Sequence, residues 1–451
     1  MSGKVGDNPY RASGVIAAAG GAAITWCTTA KTGNFCAEAG SGYLVNTCST
    51  AFTATLPCSP TVGDQVAFVD FAGTFDSNPL TLGRNTKKIK SQCKCGNLGT
   101  ERGAVTVIYT GTAQGWITTS QANAETVGFA EYITASGGNQ PTATGCIVCT
   151  DYKVHTFTGT GPFNVTAVGN PAGSSIVDYL VVAGGGGGGG SEGGGGGGAG
   201  GYRESVPSPA AWTGSPIANP GGGLTATVQN YTLTVGGAGT AGSPSGNGGS
   251  GTTSVFSTIT SAGGGGGGQF DVAGIAGGSG GGGGGRSNTA GGAGNTPPTS
   301  PLPAQGFAGG NAKSPGTNPD LGGGGGGATV VGTQGGASPN PTGSGPGGAG
   351  GGTALNPSPS YGTPGPSPSL RYFSGGGGAG KDGDSPNSAP AGAGGTGGGG
   401  QGASNDPGSL QSAVAGGENK GGGGGGSGGT PACRVSKAGG KGVVIVRYKF
   451  Q

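Results

Sequence analysis

Nine cysteines, one histidine and eighteen carboxylates are the residues of this chain with the most chemistry in them. Eight of the cysteines fall before residue 150, and Cys433 stands alone. Cys93-Lys94-Cys95 and Cys146-Ile147-Val148-Cys149 could together offer four thiolates to zinc. Zinc knuckles usually pair two C-x2-C turns, and one of these is C-x-C. Disulfides within or between chains and plain free thiols are the competing readings of those four. Cys27, Cys36, Cys48 and Cys58 are disulfide candidates, and the odd total leaves at least one thiol free or shared between chains. Assembly in a reducing cytoplasm disfavours early disulfides, and release into an oxidising medium permits them.

His155 lies in KVHTFT, near Cys149 in sequence. A Cys–His nucleophile needs a third, orienting group in a pocket, and the plain alternative is a strand residue. Glycan hydrolysis needs two carboxylates at a fixed separation, and no such pair sits beside aromatics on an expected strand. Asp382 and Asp384 share a turn, KDGDSP, suited to a loop or a weak cation site. Ala379-Gly380-Lys381-Asp382 lacks the Gly-Lys-Ser/Thr ending of a phosphate loop, and no helix pattern follows it. The expectation is a protein without catalytic residues or cofactor.

Recognition by loops remains. Tyr361, Arg371, Tyr372 and Phe373 share a long proline-rich segment, and aromatics with arginine are common interface anchors. Lys313, Asp320, Lys381, Asp382, Asn405 and Asp406 could add polar contacts. The alternative is that Tyr372 and Phe373 seal the side of the scaffold that carries them.

That scaffold is written in glycine: 119 of 451 residues. Residues 184–190 are seven glycines in a row, and six-residue runs follow at 193–198, 263–268, 280–285, 322–327 and 421–426. Shorter runs stand at 375–378 and 397–400. Flexible linkers mix serine with glycine, but these runs hold almost none, recur near one length, and begin and end on β-branched strands, 177–182 and 442–448. An extended left-handed helix has three residues per turn and rises ~3.1 Å per residue, so six residues span roughly 19 Å. It has no internal hydrogen bonds, so every backbone group needs an outside partner if buried. All-glycine helices can approach on every side and supply those partners. Proline-rich segments between the runs would then gather at the ends of the lattice, where loops on rigid scaffolds usually recognise ligands.

Before the glycine block the chain reads as β. Short apolar runs at 42–47, 51–56, 65–70, 80–82 and 105–109 alternate with Pro, Gly, Asn and Asp turns, the pattern of a small all-β sandwich or barrel. Trp116 is expected to plug one end. The organisation expected is a docking arm at 1–26, an all-β oligomerising module at 27–120, a connector at 121–150 that could hold a helix or a strand, and a glycine-rich domain at 151–451 capped by strands. The formal charge of +3 with 9% charged residues gives no basic stripe for nucleic acid. No run of 18 apolar residues suggests membrane insertion, and 14–24 behind Asp7-Asn8-Pro9 fits a secretory signal poorly.

The segments DYKVHTFTGTGPFNV, NPAGSSIVDYLVVAGGGGGGG, YTLTVGGAG and GGKGVVIVRY resemble the glycine-rich domain of bacteriophage fibre and adhesin proteins. The stretch GSGYLVNTCSTAFTATLPCSPTVGDQVAFVDFAGTFDSNPLTLGRN with VTVIYTGTAQGW resembles a β-module of tail-fibre proteins of marine tailed phages, and GDNPYRASGVI resembles their N-terminal arm. The cysteine richness of 27–120 departs from that pattern. The resemblance implies a homotrimeric virion fibre on the particle surface, made in the host cytoplasm. Its arm would hold other virion proteins, and its distal loops would bind a host surface protein or glycan. A purely structural fibre, a capsid or neck decoration, and a secreted bacterial surface filament are the alternatives.

Overall fold

The computed structural model describes residues 24–123, 127–139, 144–148, 151–170, 173–207, 210, 212–298, 303–313, 320–336, 343–356, 358, 360–382, 390–429 and 435–451. Among these there are strands and turns but no helix, hence none long and apolar enough to cross a membrane. The chain divides into two compact units. One comprises Met1–Ile133 with Val168–Ser175 and Gln451, the other Thr134–Ala167 with Ile176–Phe450.

The first unit is two five-stranded sheets. Thr25–Lys31, Ser41–Val45 and Gln65–Asp70 run parallel in one; Phe35–Cys36, Thr53–Thr55 and Leu80–Gly83 run parallel in the other. Successive strands therefore alternate between sheets, and the chain winds as a flattened coil. Ala104–Tyr109 and Trp116–Ala122 close the first sheet antiparallel, and Gly96–Leu98 and Gly128–Phe129 close the second. Strand side chains alternate faces, so Val105, Val107 and Tyr109 point inward with Tyr43, Phe68, Leu80, Leu82 and Trp116. Asp70, at the end of the strand Gln65–Asp70, is buried, and its carboxylate is satisfied by the backbone N–H groups of Gly73, Phe75 and Arg102 at 2.8, 3.1 and 3.0 Å. The boundaries move relative to the sequence reading. The first strand starts at Thr25, inside the expected arm, whose residues 1–23 lie outside the described residues. The module runs past 120 because Phe129 pairs with Gly96.

The second unit begins within the expected connector. Thr134–Gly137 and Cys146–Val148 are strands, not a helix. Cys146–Val148 edges a six-stranded sheet whose central strand, Val443–Lys449, lies between Tyr152–Phe157 and Ile176–Val182. Val182, two residues before the first glycine run, pairs with Val443, which opens the final strand after the glycine block. A three-stranded sheet of Thr134–Gly137, Gly161–Ala167 and Gln229–Leu233 adds Phe163 to a ring cluster with His155, Phe256 and Tyr448.

The glycine runs carry no strand pairing, yet their amides are bonded across long sequence distances with a period of three. In the second run Gly194, Gly197 and Gly200 donate to Ser427, Gly424 and Gly421; Gly195, Gly198 and Gly201 to Gly268, Gly265 and Ala262; Gly196 and Ala199 to Gly323 and Gly326. Its carbonyls accept from Gly189 and Gly186, from Gly282, and from Gly377. Six runs thus surround residues 194–201, alternately taking and giving hydrogen bonds. Those six also bond to one another in a closed ring, through Gly264 to Gly184, Gly265 to Ser279, Gly323 to Gly283, Gly325 to Gly377, Gly423 to Gly375 and Gly424 to Gly186. The centre and ring are the nearly pure glycine runs, including the short one at 375–378. Passes outside the ring, such as 272–278, carry Val, Ala and Ile. The run at 397–400 is different: Gly397 and Gly398 turn the chain at φ +101° and +98°.

Candidate functional site

Because the runs pass back and forth, their turns collect at two ends. The near end carries the six-stranded sheet. At the far end the chain turns through Ser191 and Glu192, at 243–246, at 269–272, at 286–289, and at 404–411, where Ser404 and Gln411 exchange backbone hydrogen bonds. Lys313, Asp320, Lys381 and Asp382 lie there too; residues 314–319 and 383–389 lie outside the described residues.

The far end gathers charge from separate passes. Asp320 pairs with Asp382, and Leu321 with Lys381, in a two-residue ladder, and Lys313 N–H donates to the Leu321 carbonyl at 2.9 Å. Carboxylate oxygens of Glu192, Asp320 and Asp382 lie within 4.8 Å of one another. Burial pushes the Asp320 carboxyl above its ordinary range, Arg286 acts against that, and Glu192 and Asp271 reinforce it. The Arg286 guanidinium stands 4.8 Å over the Phe270 ring. Asn405 donates its side-chain amide to Asp382 Oδ1. Oxygen-only ligands in this arrangement suit a hard cation such as calcium.

Three residues expected to touch a partner are instead interior. Lys381 and Asp406 are buried and form an ion pair at 2.7 Å; the hydrogen bond from Lys381 holds the Asp406 carboxyl below its ordinary value. Phe373 is fully buried against Tyr202 and Leu355 in the near-end core. Tyr361, Arg371 and Tyr372 are half-buried and share the near end with it. Their segment is tied to the sheet by Asn356 to Thr156 at 3.3 Å and by Arg447 to the Leu355 carbonyl at 3.0 Å. Arg371 spends its guanidinium on the Tyr361 and Gly362 carbonyls at 2.7 and 3.1 Å. The ten expected recognition residues therefore divide between opposite ends of the runs. Glu192, Asp271 and Arg286 belong with the far-end set and were missed. Their signal was a charged residue in a short gap beside a glycine run.

The cysteine readings change too. Cys27, Cys36, Cys48, Cys58, Cys93, Cys95 and Cys146 are free thiols, all but Cys27 exposed. Disulfides among Cys27, Cys36, Cys48 and Cys58 are not formed. Cys27 and Cys36 lie on edge strands of different sheets, and Cys48 and Cys58 occupy separate corners of the coil. Among the described residues the one grouping of three or more His, Cys, Asp or Glu at metal-sharing distance is the carboxylate trio, so Cys93, Cys95 and Cys146 form none. Cys149 and Cys433 lie outside the described residues. His155 is enclosed: Nδ1 bonds the Gly137 carbonyl at 2.8 Å and Nε2 the Tyr448 hydroxyl at 3.1 Å. Burial lowers its pKa; the Gly137 bond opposes this and Lys153 adds to it.

Residues 156–449 match the family described as a glycine-rich domain. The chain belongs to the glycine-rich domain family. The match stops with the central strand that ends at Lys449, so the glycine-rich domain takes in that strand together with every run. No curated protein matches the chain.

Proposed function

We propose that the runs are polyglycine II helices and that the protein is a virion fibre or adhesin, binding a host surface molecule non-covalently through its far end. The threefold repeat of hydrogen bonds supports the helix assignment, since an extended helix of three residues per turn aims its amides in three directions. Binding rests on one observation. Turns from separate passes bring Glu192, Asp271, Arg286, Asp320 and Asp382 to the same end of a stiff frame. Docking through residues 1–26 to other virion proteins, a homotrimeric β-module and a place on the particle surface belong to the same proposal. The runner-up is a structural fibre whose far end only closes on itself, a reading favoured by the Lys381–Asp406 and Asn405–Asp382 contacts.

The test is binding of the fluorescently labelled full chain to a panel of bacterial strains. A far-end variant (Arg286→Ala with Asp320→Ala) is compared with a near-end variant (Tyr361→Ala with Arg371→Ala). The expected result is binding to some strain, lost in the first variant and kept in the second. Loss only in the near-end variant moves recognition to the sheet. Absence of binding to every strain leaves the structural fibre.

A further inference from the structure

After Leu80–Gly83 the coil of the first unit ends in a run of cations. Arg84, Lys87, Lys88, Lys90 and Lys94 share the segment 84–94, and no carboxylate stands between Asp76 and Glu101. The formal charge of +3 on the whole chain conceals this concentration. The segment is built from two tight turns. Lys87 N–H donates to the Arg84 carbonyl at 2.9 Å across Asn85 and Thr86, whose φ angles are +44° and +68°. Ile89 and Gln92 exchange backbone hydrogen bonds at 3.0 and 2.8 Å across Lys90 and Ser91, at φ +47° and +66°. Two consecutive left-handed residues mark a type I′ turn, whose usual sequence is Asn-Gly. Both turns are made here without glycine. Side chains held in that region are a cost that folded chains concentrate at ligand clamps and other functional loops.

The turns are fastened to the module. Ile89 is fully buried in its core. Trp116 N–H donates to the Lys88 carbonyl, Lys90 N–H to the Trp116 carbonyl and Ser91 N–H to the Gln114 carbonyl, each at 2.9 Å. At Gly115, φ +75°, a methyl group would collide with the Lys88 carbonyl, so the two backbones lie in direct contact. Lys88 Nζ donates to the Ala113 carbonyl at 3.5 Å, Lys90 Nζ to the Val127 carbonyl at 3.0 Å and Arg84 Nη1 to the Lys87 carbonyl at 3.4 Å. A carbonyl orients a cation without neutralising it. Among the described residues Arg84, Lys87, Lys88 and Lys94 form no ion pair. Lys94 is exposed between the exposed thiols of Cys93 and Cys95. Like charges gathered on one frame repel, and a polyanion relieves that repulsion. Residues 84–95 hold no aromatic side chain on which a nucleic-acid base could stack. We propose that the segment 84–94 binds an anionic glycan, whose phosphate or sulfate groups meet Arg84, Lys87, Lys88 and Lys94. This surface belongs to the β-module and does not rest on the far-end reading.

The test is fluorescence anisotropy of labelled dextran sulfate mixed with the full chain, beside neutral dextran and a single-stranded oligonucleotide. Dextran sulfate should bind and dextran should not. Its affinity should fall roughly fiftyfold between about 50 and 200 mM salt, as four contacts to one charged strand imply. Lys87→Gln with Lys94→Gln should reduce that fall to about sevenfold, the value for two contacts. Lys437→Gln with Lys441→Gln removes the same charge from the glycine-rich unit and should bind as the native chain does. A footprint on the native chain needs no variant: dextran sulfate should slow alkylation of Cys93 and Cys95 by iodoacetamide, read by peptide mass spectrometry, and leave Cys36 as reactive as before. Dextran sulfate that does not bind, that binds all three proteins alike, or that leaves Cys93 and Cys95 unprotected overturns the proposal. So does tighter binding of the oligonucleotide, which would assign the surface to nucleic acid.

Discussion

A methyl group on Gly197 would stand 2.1 Å from the Gly186 carbonyl oxygen. No side chain can move aside there, because every neighbour is backbone. On Gly237, in an outer pass, nothing lies nearer than 3.6 Å, at the Thr252 hydroxyl. Gly197→Ala should therefore abolish the cooperative melting of the glycine-rich unit. Gly237→Ala should be neutral or stabilise by up to about 1 kcal/mol through the unfolded chain. Calorimetry of the two variants checks the contrast, and equal behaviour would mean the runs are looser than described. The buried Lys381–Asp406 pair gives a second residue-scale expectation. Asp406→Asn should cost about 1–3 kcal/mol by leaving an ammonium without its charged partner. The native pair should weaken only in acid. Its carboxyl titrates below the unfolded value of 3.8, so its stabilising effect is present at neutral pH and lost as pH falls through the folded value. The residue scale is also where the sequence was most legible. A pass needs glycine at every position only when other passes crowd it, so purity marks the centre and ring together, and it does not tell 193–198 from the runs around it. The fate of Lys381 and Asp406 was not legible, since a charged pair in a turn looks alike whether its side chains meet inward or spread outward.

The six-stranded sheet holds buried titratable groups with opposite pH slopes, His155 on one side and Asp178 and Glu204 on the other. His155 has a lowered pKa, so below its unfolded value of 6.5 the unfolded chain takes up a proton that the folded one resists, and acid destabilises. Asp178 is pushed up to about 6 by burial, against the Ser205 hydrogen bond and Arg447. Between 3.8 and about 6 its folded form keeps a proton that the unfolded form has released, so a rise in pH destabilises. Replacing each should tilt the profile in opposite directions. Between about pH 7.5 and pH 5, His155→Gln should lose less stability than the native protein and Asp178→Asn should lose more. Melting temperatures at the two pH values decide it; parallel profiles for all three proteins would assign the dependence elsewhere. The strands themselves were legible from their β-branched runs: 177–182 and 442–448 are present within a residue as Ile176–Val182 and Val443–Lys449. The end to which each loop belongs was not. It depends on how many passes separate a loop from the sheet, and nothing in the composition of 353–374 reports that number.

At the scale of the molecule, the two units have separate cores. Deleting residues 443–451 removes the strand between Tyr152–Phe157 and Ile176–Val182 and should unfold the glycine-rich unit. The β-module keeps all its strands and should still melt as a cooperative unit. Hydrogen exchange by mass spectrometry would show protection at Val105 and Val107 surviving while that of the glycine runs collapses. Loss of both would show that the module cannot hold its fold alone.

The central run also sets an order in time. Residues 194–201 leave the ribosome early in the glycine block, but the amides of Gly194, Gly197 and Gly200 find their acceptors only at Ser427, Gly424 and Gly421. Synthesis at about 5–20 residues per second puts more than two hundred residues between those amides and their partners. For that interval the nascent chain carries a polyglycine stretch with a third of its acceptors still unmade. A frameshift or early stop near residue 420 is therefore felt at residue 197, and the cell must wait for nearly the whole block before the first part of it is stable.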